Sequence, residues 1–198
     1  FEFGLRADYE NAYLSVSAFR NSYKDFISSN YIGRSGAVSL YQNQNIDDVE
    51  IHGAEATAFL YFSENWRMGS SIAYAMGRDQ KTSQHLDSVD PVNLVNSLRY
   101  DSSSGDWGTE LFWTLVADKT KVSSDSVTGA DGYQVLDAVV DLRIGESLSV
   151  RAGVFNIFDE EYARWQSIQG LNKVSAADTI LNNYQPGTNL RIGINANL

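Results

Sequence analysis

Apolar side chains recur at every second position in nine stretches of this chain, the period of a pleated strand with one apolar and one polar face. Phe1, Phe3, Leu5, Ala7 and Tyr9 open the series against Glu2, Gly4, Arg6 and Asp8. Leu14, Val16 and Ala18 follow, then Ala54 through Phe62, Trp66 through Met76, Val92 through Tyr100 and Trp107 through Leu115, each on one parity. Leu136 to Leu142, Leu148 to Val154 and Leu190 to Leu198 complete it. Helical spacing competes nowhere, so the pattern predicts an all-β chain of nine strands.

The predicted connections alternate between short and long. Residues 10–12, 63–65, 102–106 and 144–147 read as tight turns. The intervening loops run from about a dozen to about thirty residues, a length usually kept for function. All of the long loops fall at one end. A soluble sandwich has no reason for that segregation, whereas an antiparallel up-and-down transmembrane β-barrel has. Tyr9, Phe62, Trp66, Tyr100 and Trp107 flank short turns on the apolar parity, where an interfacial aromatic girdle would lie. Each apolar stretch, tilted by roughly 40°, would cover on the order of 25 Å of hydrocarbon.

Composition narrows the function classes. Aromatics make up 12% of the 198 residues, which excludes a disordered chain. No run of about 18 apolar residues occurs, so no transmembrane helix is expected. The absence of cysteine removes disulfide scaffolds, thiol catalysis and cysteine-based zinc sites. A net charge of -10 argues against a nucleic-acid partner, since phosphate contacts need clustered cations.

The polar parity carries Glu2, Arg6, Asp8, Glu55, Arg67, Arg99, Glu110, Asp137, Asp141, Arg143, Arg151 and Arg191. Mixed signs suit a hydrated, salt-bridged lumen whose members mostly pair with one another. The first and ninth segments run in the same direction, so nine strands could close only through a parallel pair, unlike the even antiparallel barrels of bacterial outer membranes. Further strands are therefore expected before Phe1, because an open edge in lipid leaves N–H and C=O groups without partners.

Several stretches resemble the TonB-dependent outer-membrane receptors, and within them the haem and haemoglobin receptor branch. FEFGLR at Phe1 to Arg6, AFRNSYKDFI at Ala18 to Ile27 and IHGAEATAFLYFSENW at Ile51 to Trp66 carry the likeness. So do SVDPVNLVNSLRYDSSSGDWGTELFWTLVADK at Ser88 to Lys119, GYQVLDAVVDLRIGESLSVRAGVFNIFDEEYARW at Gly132 to Trp165, and QPGTNLRIGINANL at Gln185 to Leu198. GVFNIFDEEY followed by a late QPG marks the superfamily; SVDP and LRYDS point to the haem branch. The resemblance implies a 22-stranded barrel with an N-terminal plug, of which residues 1–198 are the C-terminal portion with about nine strands. It further implies ligand capture at the surface of the bacterial outer membrane and release driven through the TonB protein, without covalent chemistry. Haem or haemoglobin would be the transported ligand, no cofactor would be intrinsic, and membrane lipid and lipopolysaccharide would surround the wall. The branch's FRAP and NPNL motifs, beside its haem-binding histidine, do not occur in this sequence; in the family they lie just upstream of the position matching Phe1. Family barrels usually end in an aromatic residue, whereas this sequence stops at Leu198. A ferric siderophore, cobalamin, or a passive porin or adhesin-like barrel are the alternatives.

Candidate ligand contacts are few. Haem iron accepts His or Tyr, and the sequence holds two histidines. His85 lies in the predicted long loop from Gln80 to Asp90, whereas His52 shares the parity of Ala54. Tyr31, Tyr41, Tyr162 and Trp165 are loop aromatics suited to haem or a protein surface. Enzymatic readings fail: GRSG at Gly33 to Gly36 lacks the lysine and helix of a phosphate loop, and His85 has no partners for a nucleophilic triad. Asp47, Asp48 and Glu50, like Asp159, Glu160 and Glu161, match no calcium-loop spacing and read as solvated loop acids.

Overall fold

The computed structural model describes residues 1–36, 38–174 and 176–196, with the side chains of 28, 30, 31, 39, 46 and 47 outside that set. Leu198, and with it the expectation about the final residue, lies outside the described residues. Nine strands form one sheet in chain order: β1 (Glu2–Asp8), β2 (Ala12–Ser35), β3 (Val38–Tyr61), β4 (Trp66–Asp79), β5 (Asn93–Asp101), β6 (Trp107–Val116), β7 (Tyr133–Ile144), β8 (Leu148–Phe155) and β9 (Asn189–Ala196). Every neighbouring pair is antiparallel, so the chain is a pure meander. The sheet is not closed, since the order runs from β1 to β9 without joining its ends.

Register turns a pattern in the sequence into a surface. Leu14 pairs with Ala58, Ala58 with Ser70, Ser70 with Asn96, Asn96 with Trp113 and Trp113 with Leu136. One row farther along, Met68 meets Leu98, Leu98 meets Leu111, Leu111 meets Ala138, Ala138 meets Val154 and Val154 meets Leu190. No slip of one residue intervenes, and such a slip would send a strand's whole apolar set to the other face. Phe3 is 66% exposed and Ile192 73%, as side chains directed at hydrocarbon must be in the chain alone. The polar pair in this apolar face is internally satisfied, because the Ser70 hydroxyl donates to Asn96 Oδ1 at 3.0 Å. Toward the turns the face ends in an aromatic ladder: Phe62 stacks on Trp66 (6.2 Å), Trp66 meets Tyr100 (4.9 Å) and Tyr100 meets Trp107 (5.2 Å).

Two features depart from the periodicity reading. The connection expected between the second and third segments is not a loop: β2 and β3, 24 residues each, continue past their neighbouring strands as a two-stranded ribbon, with a register shift between Tyr31 and Gly33. Alternation fails there because the ribbon beyond Arg20 and His52 has no single apolar face. Asp25 adopts a left-handed φ of 56°, and past it Phe26 meets Tyr23, from the opposite parity, at 5.7 Å. Second, the last loop contains two short helices, α1 (Trp165–Ile168) and α2 (Ala176–Asn182), too brief for a 3.6-residue period to show in sequence.

Without detergent the chain should aggregate, because an apolar face and both sheet edges lie open; a monodisperse detergent-free monomer in light scattering would contradict the assignment of faces. In the bilayer-inserted protein, Ile72→Arg should cost about 2–4 kcal/mol of unfolding free energy and Trp66→Arg, at the turn-side girdle, about 0–1 kcal/mol. Guanidinium titration of the two variants checks that depth dependence.

Candidate functional site

The polar face is built first from one ion-pair network. Arg67, Arg99 and Glu110 share a row across β4, β5 and β6, and Asp101, Asp141 and Arg151 occupy the adjoining row. The Arg99 guanidinium donates to Asp101 through Nε (3.0 Å) and Nη2 (2.6 Å) and to Asp141 (3.0 Å), and lies 3.5 Å from Glu110. Glu110 also faces Arg67 at 3.9 Å, and Asp141 accepts from Arg151. Three guanidinium groups thus meet three carboxylates, and the face gains order without net charge. Gly108 makes this possible: a Cβ there would collide with both the Arg99 guanidinium and the Asp101 carboxylate. Elsewhere rings cover glycines, Phe19 over Gly53, Phe59 over Gly69 and Phe155 over Gly153, filling gaps that a missing side chain leaves in a sheet.

The other polar-parity residues take mixed duties. Arg6 bonds Asp8 at 3.0 Å and lies over the Tyr13 ring, while Arg191 bonds Asn189 and covers Phe155. Glu2, Glu55 and Arg143 sit on the same face, opposite Phe19, Ser17 and Ser149. Asp137 is committed to structure, accepting the Asn156 N–H at 2.8 Å.

At the loop end, three connections pack into one body. The β4–β5 loop (80–92) folds over the polar face, where Leu86 and Val89 bury against Val49, with Ile51 and Ala75 beside them. Asp87 of that loop accepts the backbone N–H and hydroxyl of Ser123, at 2.8 and 2.6 Å, from the β6–β7 loop (117–132). Trp165, 2% exposed, donates its indole N–H to the Asp87 carbonyl at 2.7 Å. Lys119 is buried; its ammonium donates to the Val89 carbonyl at 2.7 Å and sits over the Trp165 ring. Burial pushes the Lys119 pKa down, against the pull of Asp87 and Asp90. Ala163, Trp165 and Ile168 form the apolar centre of the β8–β9 loop (156–188).

The GVFNIFDEEY and QPG stretches have a mechanical explanation. Asn156, buried and in the left-handed region at φ 53°, donates through Nδ2 to the carbonyls of Glu160 (2.9 Å) and Pro186 (3.2 Å) and accepts the Glu160 N–H (2.9 Å). The Thr188 hydroxyl returns to the Asn156 carbonyl at 2.8 Å, and Asp159 accepts the Thr188 N–H. Asn156 thus clamps the start of the last loop to its end.

The candidate ligand residues separate. His85 and Tyr41 line one cavity of about 630 Å³ together with Phe26, Ile27, Lys81 and Gly170, between the ribbon and the loops. The Tyr41 hydroxyl donates to the Gly170 carbonyl at 3.3 Å and closes one side. Burial lowers the His85 pKa first, and the charges of Arg78, Lys121 and Lys119 lower it further. Tyr162 lies elsewhere, stacked on Tyr133 at 4.1 Å. Trp165 is closed to outside contact by its burial and serves as the anchor just described. The Tyr31 side chain lies outside the described residues; its backbone pairs with Tyr41. His52 pairs with Met76 in register and lies 3.8 Å from Glu50, which takes Arg20, so it belongs to a surface cluster at the end of the apolar face. Asp159 braces Thr188, and the Asp47 side chain lies outside the described residues. Sequence reasoning missed Lys119, Asp87 and Ser123, ordinary polar loop residues with no periodic signal.

A meander with one face for hydrocarbon, one ion-paired face and a packed loop assembly at a single end defines the wall of a receptor-type transmembrane β-barrel. The family described as TonB dependent receptor-like, beta-barrel matches residues 1–157, and the chain belongs to that family. It is similar to the hemoglobin-haptoglobin utilization protein B of Neisseria meningitidis serogroup C, 23% identical over 94% of this chain and 28% of that protein. A hemoglobin-binding protein A of Haemophilus influenzae is 23% identical over 92% and 22%. Among solved structures, the copper transporter OprC superposes with a TM-score of 0.84 at 24% identity, over 98% of this chain and 30% of that one. A variant of the ferric enterobactin receptor from Pseudomonas aeruginosa gives 0.75 at 21%, with the same coverage. The two structures show a shared fold, and the chain spans less than a third of the length of each of these proteins.

Asn156→Ala removes three side-chain hydrogen bonds, worth about 1 kcal/mol each. Amide exchange across 157–188 should accelerate by roughly two decades while the strands stay protected. The depressed His85 pKa makes the folded β4–β5 loop poorer in protons than its open form as pH falls below about 6.5. Its opening free energy should be full above that pH and decline toward pH 5.5. Hydrogen exchange of residues 80–92 at the two pH values tests the sign.

Proposed function

We propose that this chain is the C-terminal wall of a 22-stranded outer-membrane barrel that imports haem, or iron from a haem protein, with energy supplied through TonB acting on an N-terminal plug. The observation that carries the reading is the convergence of His85 and Tyr41 on one loop-end cavity in a family member whose curated relatives include haemoglobin–haptoglobin receptors. The apolar face meets membrane lipid, with lipopolysaccharide in the outer leaflet, and the long loops face the cell exterior. The ion-paired polar face lines the bore around the plug. Binding and release require no covalent bond to be made or broken, so the chain acts as a receptor and not as an enzyme.

The test uses the complete receptor in its own cell. With haemoglobin as sole iron source, deletion of the receptor should abolish growth, the intact gene should restore it, and loss of TonB should abolish it again. Growth that persists without the receptor, or a deletion strain that fails only on a ferric siderophore, would overturn the haem reading.

A further inference from the structure

The hydrocarbon-facing side of the wall ends differently at its two rims. On the turn side it closes with the uncharged rings of Phe62, Trp66, Tyr100 and Trp107. On the loop side, over β2, β3 and β4, it closes with charge. From the turns up to the base of the ribbon, the charged side chains on the apolar parity of the described strands are Arg20, Lys24, Asp48, Glu50 and Arg78, with His52 among them. Arg20 follows Leu14, Val16 and Ala18 on one parity, His52 and Glu50 continue that of Ala54, and Arg78 continues that of Tyr74 and Met76. Alternation therefore carries the cluster out on the lipid side, in the three rows above Ala18, Ala54 and Tyr74.

Register fixes the spacing. Arg20 pairs with His52 and His52 with Met76; Glu50 pairs with Ser22 and with Arg78; Lys24 pairs with Asp48. With strands about 4.8 Å apart and a rise of about 3.3 Å per residue, the Cα atoms of Arg20, Lys24 and Arg78 mark a triangle of roughly 12–13 Å a side. Glu50 lies inside it and Ser22 on one edge. Glu50 is sheltered, its side chain 18% exposed, and bonds Arg20 while lying 3.8 Å from His52; Arg20 still keeps 54% of its side chain open. Lys24 and Arg78 are exposed and have no ion-pair partner among the described residues. Three fixed cations against the two carboxylates Glu50 and Asp48 leave one positive charge on the patch, and a protonated His52 adds a second, on a chain of net charge -10.

Long cationic side chains at the edge of a hydrocarbon band extend to the headgroup layer. Beneath the patch, β3 presents Ala54, Ala56 and Ala58 between Leu14 and Val16 on β2 and Ile72 and Tyr74 on β4. Small side chains between larger ones leave a shallow furrow running down from the cations. An acyl chain fits along it, whereas a free phosphate ion gains nothing from it.

From this juxtaposition of a cationic triangle above and an apolar furrow below, we infer that Arg20, Lys24 and Arg78 seat the phosphate groups of lipopolysaccharide, with its acyl chains against the furrow. This rests on the proposed outer-membrane reading, in which the long loops face the exterior and the patch stands in the outer leaflet. The phosphates accept charge-assisted hydrogen bonds from two guanidinium groups and an ammonium, and the Ser22 hydroxyl is a further donor on the same face. Glu50 orients Arg20 and repels the same phosphates.

The test uses the full-length receptor purified in detergent and freed of bound lipopolysaccharide, with a chelator present so that no divalent cation bridges phosphate to Glu50 or Asp48. The probes are bisphosphorylated lipid A, which is the phosphorylated anchor of lipopolysaccharide, the same lipid A stripped of phosphate, phosphatidylglycerol, and inorganic phosphate. Bound lipid is read by native mass spectrometry. Lipid A should bind the intact receptor more tightly than its stripped form. Arg20→Gln, Lys24→Gln and Arg78→Gln should each weaken lipid A by roughly fivefold and together by on the order of a hundredfold, with the stripped form unchanged. Glu50→Gln removes a repelling charge and should tighten lipid A by roughly fivefold. If Glu50→Gln instead weakens lipid A as Arg20→Gln does, the patch serves only its own ion pair and the seat is overturned. Lipid A binding unmoved in the triple variant, phosphatidylglycerol binding as tightly as lipid A, or displacement of lipid A by equimolar inorganic phosphate would each overturn it too. Recovery of the receptor in the inner membrane on cell fractionation would remove the outer-membrane reading and the seat with it, whereas the other failures leave that reading standing.

Discussion

A strand in hydrocarbon has no water to satisfy its N–H and C=O groups, so each must be met by the next strand. Everything else in this chain is arranged around that constraint. It forces an unbroken antiparallel ladder from β1 to β9 and lets only side chains distinguish one face from the other. Once alternate residues are given over to lipid, the remaining half must organise the interior. The Arg99-centred network does so by cancelling its own charge, and the glycines under Phe19, Phe59 and Phe155 let rings lie flat along the wall.

Above the band, where water returns, the constraint lapses and a different physics takes over. The β2–β3 ribbon keeps its backbone ladder but loses its apolar face, and the other long connections build small cores of their own around Val49 and Trp165. The site lies where these two regimes meet. His85 is carried by a loop that still pairs with the end of β4, so it inherits positional precision from the sheet while lining a space bounded by loops.

Much of the wall was legible because a two-residue period survives in sequence whatever the partner strand. The parities assigned to Leu98, Leu111 and Val154 hold in the register, and the turns at 63–65 and 102–106 fall between strands. The loop end was less legible for a physical reason: its contacts are long-range and singular. Nothing local marks Lys119 as a residue that will bury an ammonium beside Trp165, or Asp87 as the acceptor for Ser123. Trp165 reads as an exposed anchor from its loop setting, and only the fold shows it turned inward. The ribbon was missed because a solvated hairpin has no apolar alternation to read. Asn156 stood inside a recognisable stretch, yet its clamp on Pro186 joins residues thirty positions apart.

The buried ammonium of Lys119 has a consequence for evolutionary change in the loops. Because it grips a carbonyl of one loop and the indole of another, the three connections form an interlocked lattice and not three independent fingers. Exposed tips can drift with little penalty, but an insertion that shifts any one root strains the other two. Variation should therefore accumulate at the crests of these loops and spare the few atoms that knit their bases together.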